Sequence, residues 1–288
     1  MSTVTPSVGR AATSGVASGG ALTVLPDDRR PRPVSVDAPV VANRHLTDRY
    51  WRLTVEAPLV ATTFLPGQFV MLTVTRDVRE GPVLPRPMAV YDADPGTGRV
   101  DVVYSVVGAG TRALTTFTTG EHIGLVGPLG RGFDQPAGDL LLLGRGIGTC
   151  SLTSLTLRPA AGTTVTAVAS GRHPGAVIGP ELYEARGVRC LPVNDTDGSS
   201  DPGRLGLRLR ALLDGAPPAL IAACGSARLE ALAQRLAGVW GAEVQVALEA
   251  HMACGLGYCH GCSTGDRTAS SEAPLVCRDG PVFGLPPA

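Results

Sequence analysis

The cysteine-rich tail of the sequence gives the clearest indication of what this chain is built to hold. Residues 248–262 read LEAHMACGLGYCHGC, and a fourth cysteine follows after fourteen intervening residues. The first three have the C-x4-C-x2-C spacing that, with one more cysteine farther along, is typical of plant-type [2Fe–2S] ligation. Two irons lie close together, so three thiolates converge from one loop while the fourth arrives from another segment. The sequence therefore predicts a [2Fe–2S] cluster on Cys254, Cys259, Cys262 and Cys277.

Glycines are interleaved with these cysteines at positions 255, 257 and 261. They let the backbone wrap closely and aim N–H groups at the sulfur atoms, which tunes the reduction potential. A structural zinc site is the main alternative, but it usually uses two CxxC pairs, and only one is present. A chance group of core cysteines would not carry so many glycines. His260 is expected to face solvent, because no second histidine follows at the spacing of a Rieske site.

The region before this tail alternates short apolar strands with helical segments, which predicts a parallel α/β sheet. Gly144, Gly146 and Gly148 directly follow the first strand, in the context that a dinucleotide-binding loop requires. The same pattern also occurs as a simple strand–helix turn. The predicted strands are 139–143, 164–169, 219–223 and 244–248, and an amphipathic helix is predicted over 227–239.

The preceding region, from about Pro33 to Asp134, consists of short β-rich runs separated by turn signals such as Pro66-Gly67 and Gly127-Pro128. Many short strands at this spacing predict a small antiparallel barrel. One helical stretch over 111–118 interrupts them. The predicted strands are 51–55, 68–74, 88–91, 100–107 and 122–126.

The cysteine tail, together with the segment VCRDGPVF over residues 276–283, closely resembles the C-terminus of dihydroorotate dehydrogenase electron-transfer subunits. The resemblance covers roughly residues 36–288 with the parts in the same order. It implies a ferredoxin-reductase-like protein that holds FAD and a [2Fe–2S] cluster. Tyr258 stands where the family usually has a small residue, which bears on how exposed the cluster is.

The resemblance also implies a set of flavin-binding residues. PGQFV (66–70) and RPMAVY (86–91) resemble the superfamily's flavin motifs, and GPLGRGF (127–133) closes the domain. Arg86 is expected to pair with the FAD pyrophosphate, and the helix near Thr111 to offer N–H groups to it. Ala89 replaces a hydroxyl residue of the family motif, which should alter the flavin potential. The residues assigned to FAD are Arg86, Pro87, Met88, Ala89, Tyr91, Val103, Tyr104, Ser105, Gly110 and Thr111, with Tyr91 or Tyr104 as candidates to stack on a planar ring.

For the dinucleotide site the resemblance adds Cys224 and Gly225, which resemble the superfamily loop beside the nicotinamide. Two departures weaken the assignment: Arg145 sits where the family commonly has Gly, and Ser226 replaces a Pro. Arg145 either helps bind phosphate or obstructs the pocket. The expected ligand is NAD(P), with NAD favoured by the resemblance alone. Cys150, Cys190 and Cys224 are interpreted as free packing thiols.

Four segments follow from these patterns: a disordered tail (1–34), an FAD-binding β-barrel (35–136), an NAD(P)-binding α/β domain (137–243) and a cluster module (244–288). Lys plus Arg and Asp plus Glu each number 25, so no basic surplus points to nucleic acid or an anionic membrane. No apolar run approaches the length of a membrane span. The chain has seven cysteines, an odd number, and four of them lie in the last 35 residues, which favours a reducing cytoplasm over a disulfide framework.

Together these features predict an oxidoreductase subunit that passes electrons between NAD(P)(H), FAD and the cluster, in a hetero-oligomer with a catalytic flavoprotein such as dihydroorotate dehydrogenase. The substrate chemistry then belongs to the partner. Three alternatives remain open: the small subunit of a bifurcating transhydrogenase or sulfhydrogenase-like complex, an oxygenase reductase with a C-terminal ferredoxin domain, and a non-enzymatic relay with a decayed dinucleotide site. The short gap before Cys277 argues against the second of these.

Overall fold

The structure is a computed structural model that describes residues 21–26, 30–74, 83–265 and 272–288. A short strand, β1 (Thr23–Val24), pairs antiparallel with the last strand of the chain, Val282–Leu285. The structure therefore differs from the predicted disordered tail at these residues, because their backbone completes a sheet edge. Residues 1–20 and 27–29 of that tail lie outside the described residues.

Six antiparallel strands close a barrel, as predicted, in the order β2-β3-β6-β5-β4-β7. Alternate residues point inward, as Val100 and Val102 do, and fill the barrel core. A turn in which Asp94 accepts hydrogen bonds from Gly96 N and Thr97 Oγ1 joins two of the strands. The strands are β2 (Val34–Thr47), β3 (Tyr50–Glu56), β4 (Phe69–Thr73), β5 (Arg86–Asp94), β6 (Arg99–Ser105) and β7 (His122–Leu129), with helices α1 (Pro58–Thr63) and α2 (Ala109–Leu114) between them.

The second part is a seven-stranded sheet with the order β1-β13-β12-β11-β8-β9-β10, in which β8 to β12 run parallel. Helices cover the sheet, so a central strand such as β9 is buried along its whole length. Its elements are β8 (Leu140–Arg145), α3 (Thr149–Thr153), β9 (Val165–Gly171), α4 (Pro180–Ala185), β10 (Arg189–Asn194), α5 (Pro202–Leu213), β11 (Leu220–Cys224), α6 (Ala227–Trp240), β12 (Glu243–Ala247) and β13 (Val282–Leu285).

The segment predicted as a cluster module, 244–288, begins and ends in strands of the sheet. Strand β12, expected to open that module, pairs in parallel with β11 and so belongs to the sheet. Strand β13 then returns beside β12 as an antiparallel partner. The cysteines thus lie on a long excursion between two neighbouring strands, because both flanking segments are apolar and complete the same sheet. No helix within the described residues is long and apolar enough to cross a membrane.

Candidate functional site

The four predicted cluster ligands come together in the excursion between β12 and β13. Cys262 and Cys277 are buried, Cys254 is half-buried and Cys259 is exposed. The Sγ atoms of Cys262 and Cys277 lie 3.2 Å apart, and the Cys254 and Cys259 side chains form a second hydrogen-bonded pair. His260 is exposed, as the sequence predicts. One edge of the cysteine group therefore faces solvent and the other faces the protein core.

Backbone N–H groups point at three of the sulfur atoms, those of Cys254, Cys262 and Cys277. Gly257 N lies 3.2 Å from Cys277 Sγ, and Leu256 N lies 3.4 Å from Cys254 Sγ. Gly255 and Gly257 have φ of 69° and 85°, the left-handed conformation that glycine adopts without a steric cost. Burial opposes ionisation of Cys254, yet hydrogen bonds from Leu256 and Cys259 outweigh it and lower its pKa to about 7. This loop therefore favours the thiolate form that binds metal.

The pairing of the sulfurs distinguishes between two kinds of metal site. The cysteines form two pairs, Cys254 with Cys259 and Cys262 with Cys277. A tetrahedral zinc site needs four ligands around one ion, whereas each iron of a [2Fe–2S] cluster takes two thiolates. The residues present therefore fit a two-iron cluster.

The cysteine loop packs directly against the barrel. A Cβ added to Gly255 would lie 2.7 Å from Cγ of Met71, so the loop backbone rests on this side chain of β4. Met71 in turn is the cross-strand partner of Pro87 in β5, within the predicted flavin motif. The loop that carries the cysteines and the strand that opens with Arg86 are thus separated by a single strand.

Two of the predicted flavin residues meet at the start of α2. The Arg86 side chain lies across Gly110, where an added Cβ would fall far inside contact distance of the guanidinium. Arg86 Nη1 also donates to the carbonyl of Leu84 at 3.0 Å. Thr111 Oγ1 accepts hydrogen bonds from the N–H groups of Val107 and Gly108, so these two N–H groups serve the local turn. The structure thus brings the arginine to the helix start that the sequence assigned to a pyrophosphate.

Three other predicted flavin residues line the side of the barrel that faces the α/β domain. Tyr91, Val103 and the half-buried Ala89 pack with Cys150 and Ile178 across the domain junction. The Arg52 guanidinium lies 5.7 Å from the centre of the Tyr91 ring. Near them, Ser105 Oγ is buried and has no hydrogen-bond partner among the described residues. A buried hydroxyl without a hydrogen-bond partner fits a site where a polar cofactor supplies that partner.

Tyr104 differs from its predicted role as a ring that stacks on the flavin. It is 1% exposed, belongs to the barrel core with Val100 and Val102, and donates its hydroxyl hydrogen bond to Asn43 at 3.0 Å. No ring face is left for a ligand. Met88 also lies in the barrel core, whereas Pro87, its neighbour on β5, is half-buried.

The segment 66–70, which resembles a flavin motif, contacts the segment 127–133, which closes the barrel domain. Gln68 is fully buried and donates to the carbonyl of Gly130 at 2.8 Å. A Cβ added to Gly67 would lie 2.6 Å from the Phe133 ring. These residues therefore hold the end of the barrel together.

The glycine loop after β8 packs against the Cys-Gly loop after β11. A Cβ on Gly148 would lie 2.6 Å from Cα of Gly225, and one on Gly225 would collide with the carbonyl oxygen of Arg145. Gly225 has φ of 86°. Cys224 is fully buried, and burial raises the pKa of its thiol well above the ordinary value. The predicted dinucleotide residues thus form one continuous surface at the carboxyl edge of the sheet, with Cys224 held as a neutral thiol.

Sequence reasoning missed two features beside these loops. Arg145 forms a bidentate ion pair with Asp195, which follows β10. Arg186, after α4, spans the domain junction: it donates to Asp92 of β5 and, at 2.7 Å, to Thr156 Oγ1. Thr153 Oγ1 adds a hydrogen bond of 2.7 Å to the carbonyl of Tyr91. Because β10 and α4 are not recognisable from the sequence pattern, neither partner could be placed beforehand.

Comparison with known proteins assigns the cysteine segment first. Residues 249–285 match the model of a family described as the iron-sulfur cluster binding domain of dihydroorotate dehydrogenase B. The electron transfer subunit of dihydroorotate dehydrogenase B (NAD(+)) from Geobacillus thermodenitrificans is 32% identical over 254 residues, covering 85% of this chain and 94% of that protein. The chain belongs to the family of dihydroorotate dehydrogenase B electron transfer subunits. A family member from Bacillus caldolyticus is 31% identical over 210 residues, covering 70% of this chain and 79% of the relative.

Solved structures extend the likeness to the fold. An NADH-dependent reduced ferredoxin-NADP oxidoreductase, studied for flavin-based electron bifurcation, aligns with a TM-score of 0.71 at 25% identity, covering 86% of this chain and 88% of that one. The ferredoxin reductase of carbazole 1,9a-dioxygenase aligns with a TM-score of 0.54 at 21% identity, covering 73% of this chain and 67% of its own. These neighbours confirm the predicted ferredoxin-reductase-like fold, and the relatives are oxidoreductase subunits, as the sequence predicts.

Proposed function

We propose that this chain passes electrons between NAD(P)(H), FAD and a [2Fe–2S] cluster, to or from a partner flavoprotein of the dihydroorotate dehydrogenase type. The observation that carries the proposal is the pairing of Cys254 with Cys259 and of Cys262 with Cys277, in a loop that rests on the barrel at Met71. When bound, FAD and the cluster supply conversion between two-electron and one-electron transfer. The protein's own part is to hold the two groups close together and fix their orientation.

Arg86, Gly110 and Ser105 would hold the FAD. The Arg86 guanidinium lies at the start of α2, where it can donate hydrogen bonds to a negatively charged pyrophosphate. Glycine at position 110 leaves room for this side chain. Ser105 Oγ has a free hydrogen-bonding capacity on the same side of the barrel. Ala89 offers no hydroxyl, so the hydrogen bond that the family motif places there is absent and the flavin potential is set by other groups.

The loops at the carboxyl edge of the sheet would bind the dinucleotide. Gly144, Gly146 and Gly148 lead from β8 into α3, and the contact between Gly148 and Gly225 joins this loop to Cys224. Cys224 stays protonated because burial raises its pKa, which suits a packing or hydrogen-bonding role beside a nicotinamide. Its position agrees with the rule that ligands of open α/β sheets bind outside the carboxyl ends of the strands.

The substrate chemistry belongs to the partner in this proposal, and the complex is a hetero-oligomer. The relatives are named as electron transfer subunits, which implies a separate catalytic subunit. The exposed edge of the cysteine loop, at Cys259, provides a short distance from the cluster to a docked protein. A reducing cytoplasm fits the seven free cysteines of the chain.

The test is reduction of the complete, oxygen-free protein by NADH and by NADPH, followed through the flavin and cluster absorption bands, with and without a dihydroorotate dehydrogenase-type catalytic subunit. Bleaching of both bands by a dinucleotide, and dihydroorotate-dependent reduction only in the presence of the partner, would support the proposal. Bleaching of neither band by either dinucleotide would favour a relay subunit whose dinucleotide site has decayed.

A second candidate is the small subunit of an electron-bifurcating transhydrogenase-type complex. The specific observation in its favour is the alignment of 86% of the chain with the NADH-dependent reduced ferredoxin-NADP oxidoreductase. Copurification of untagged partners from the native host separates the two. A dihydroorotate dehydrogenase-type partner supports the first candidate, and a partner that reacts with reduced ferredoxin supports the second.

A further inference from the structure

Arg145 is the last residue of β8, and its side chain reaches across the neighbouring strand rather than toward the glycine loop. Its Nη2 lies 2.7 Å and its Nη1 3.2 Å from the two carboxylate oxygens of Asp195. Nη1 also donates to Ser170 Oγ at 2.9 Å. The side chain is 16% exposed, so this fork-to-fork pair is held in place.

Asp195 has further partners that complete a charged group at the ends of three strands. Ser200 Oγ donates to its carboxylate, and Arg228 of α6 lies 3.6 Å from the same oxygen. Hydrogen bonds from Arg145 and Ser200 hold the pKa of Asp195 down, at about 2, so the carboxylate is ionised at neutral pH. The group carries two positive charges and one negative charge, and Arg228 is 57% exposed.

The position of this group matters because the carboxyl ends of β8, β9 and β10 meet at the same edge of the sheet. The loop after β8 is the predicted pyrophosphate site, and the next strand, β9, ends at Ser170-Gly171. In doubly wound folds an acidic residue about 20 positions after the glycine loop, at the end of the second strand, hydrogen-bonds the adenosine ribose 2′-hydroxyl of NAD, whereas an arginine nearby accommodates the 2′-phosphate of NADP. The second strand is β9 here; Arg145 Nη1 lies at its end, beside Ser170 and Gly171, and Asp195 follows the next strand, β10. Here both kinds of residue are present and paired with each other.

An unpaired carboxylate at this place would repel a 2′-phosphate, because two like charges would be brought together in a partly desolvated site. Arg145 cancels that repulsion by engaging both oxygens of Asp195. The more loosely held Arg228 leaves one positive charge in excess. The Asp195 side chain is 39% exposed, so its carboxylate can still accept a hydrogen bond from a ribose hydroxyl of NADH.

We propose that Arg145 is a specificity-determining residue that, by neutralising Asp195, lets the dinucleotide site accept the 2′-phosphorylated form as well as the unphosphorylated form. The inference rests on the proposed function in one respect only, namely that a dinucleotide binds at the carboxyl edge of the sheet.

The test compares the binding of adenosine 2′,5′-bisphosphate and adenosine 5′-monophosphate to the complete protein by titration calorimetry. These probes differ only in the 2′-phosphate and need neither flavin nor cluster. The wild-type protein should bind the bisphosphate at least as tightly as the monophosphate. In Arg145→Ala the affinity for the bisphosphate relative to the monophosphate should fall at least about tenfold, because only the loosely held Arg228 then faces the Asp195 carboxylate.

Two further variants separate this effect from general damage. Arg145→Ala combined with Asp195→Asn also removes the negative charge of Asp195, so the ratio of the two affinities should return to within about threefold of wild type. Arg210→Ala removes an exposed ion pair with Asp214 on α5, at 3.4 Å, and should leave the ratio unchanged. A merely structural role of Arg145 would weaken both probes equally and would not be rescued by the second substitution.

A wild-type protein that binds the bisphosphate more than about tenfold more weakly, or an Arg145→Ala variant with an unchanged ratio, would overturn the inference. The proposed electron-transfer function fails independently, if neither NADH nor NADPH reduces the flavin while the two probes behave as expected. Flavin reduction by NADH, with an unaltered ratio of the two probe affinities in Arg145→Ala, would contradict this inference and leave the proposed electron-transfer function intact.

Discussion

The Sγ atoms of Cys262 and Cys277 lie 3.2 Å apart, although one belongs to the glycine-rich loop and the other stands beyond it, fifteen positions along the chain. Backbone hydrogen bonds hold the two segments together: Val276 N donates to the Cys262 carbonyl at 3.1 Å, and Cys277 N approaches Cys262 Sγ at 3.4 Å. Backbone hydrogen bonds therefore hold the fourth cysteine against the loop.

Replacing Cys277 by Ala should abolish the cluster while the fold persists. The variant loses one ligand of the buried pair, and we expect its iron and acid-labile sulfide contents to fall below about a tenth of the wild-type values. Cys190→Ala is the matched control, because this half-buried thiol lies on β10 away from the loop. Iron retained in Cys277→Ala, or lost equally in Cys190→Ala, would contradict the ligand assignment.

Gly110→Ala should weaken FAD binding. The added Cβ collides with the Arg86 guanidinium and forces this side chain away from the start of α2. Overpacking of this kind typically costs about 1–3 kcal/mol, which corresponds to a loss of roughly ten- to a hundredfold in affinity if binding bears it. Fluorescence titration of the flavin-free protein measures it.

The control for this variant is Gly215→Ala, since a Cβ at Gly215 meets no atom within 4 Å. It should bind FAD as the wild type does. Equal FAD affinity in Gly110→Ala and Gly215→Ala would show that Arg86 does not act at this place.

Arg186→Ala should loosen the junction between the barrel and the α/β domain. Its partner Asp92 is only 19% exposed, and it would keep a charge without a counterion. We expect the free energy of unfolding to fall by about 2 kcal/mol, somewhat less than for a fully buried pair. Arg210→Ala, which removes an exposed pair four residues apart, should cost less than about 0.5 kcal/mol. A chemical denaturation series measures both.

The loss in Arg186→Ala should depend on pH. Burial raises the pKa of Asp92 above its ordinary value of 3.8, and Arg186 counteracts that rise. Without the arginine the folded-state pKa climbs further, so the folded protein binds a proton that the unfolded chain does not. Stability relative to wild type should therefore improve as the pH falls from neutrality toward 4. A loss that stays constant or grows over this range would rule out an uncompensated Asp92.

Gly225→Ala should impair reduction by the dinucleotide while FAD and iron contents stay normal. Its Cβ would collide with the carbonyl of Arg145 and separate the two loops at the carboxyl edge. Gly187 has a similar left-handed φ of 68°, but a Cβ there meets nothing within 4 Å. Gly187→Ala thus carries the same backbone strain without the collision. We expect kcat/KM for NADH to fall at least about tenfold only in Gly225→Ala, as expected for lost alignment of the reactants.

Much of the barrel and the central sheet could be predicted because their strands alternate or run continuously apolar. Strand β2 escaped prediction because its exposed positions and Pro39 obscure the alternation over Val34–Thr47. Tyr104, one of the two candidates for ring stacking, lies on the inner face, where the two-residue period from Val100 and Val102 places it. Helix α5 carries a start signal, Asp201 before Pro202, but two glycines lower its helix propensity.

The grouping of the four cysteines could be predicted from their spacing, because a local loop sets the distances between three of them. The Arg145–Asp195 and Arg186–Asp92 pairs could not, since each joins residues at least fifty positions apart. Their proximity depends on the order of strands in the sheet and on how the barrel docks. Sequence periodicity carries neither kind of information.

The most direct measurement is the metal and sulfide content of the complete chain purified without oxygen, with its absorption spectrum. The account predicts about two irons and two acid-labile sulfides per chain, with charge-transfer bands in the visible region. A folded, colourless protein with one zinc per chain and no sulfide would contradict it.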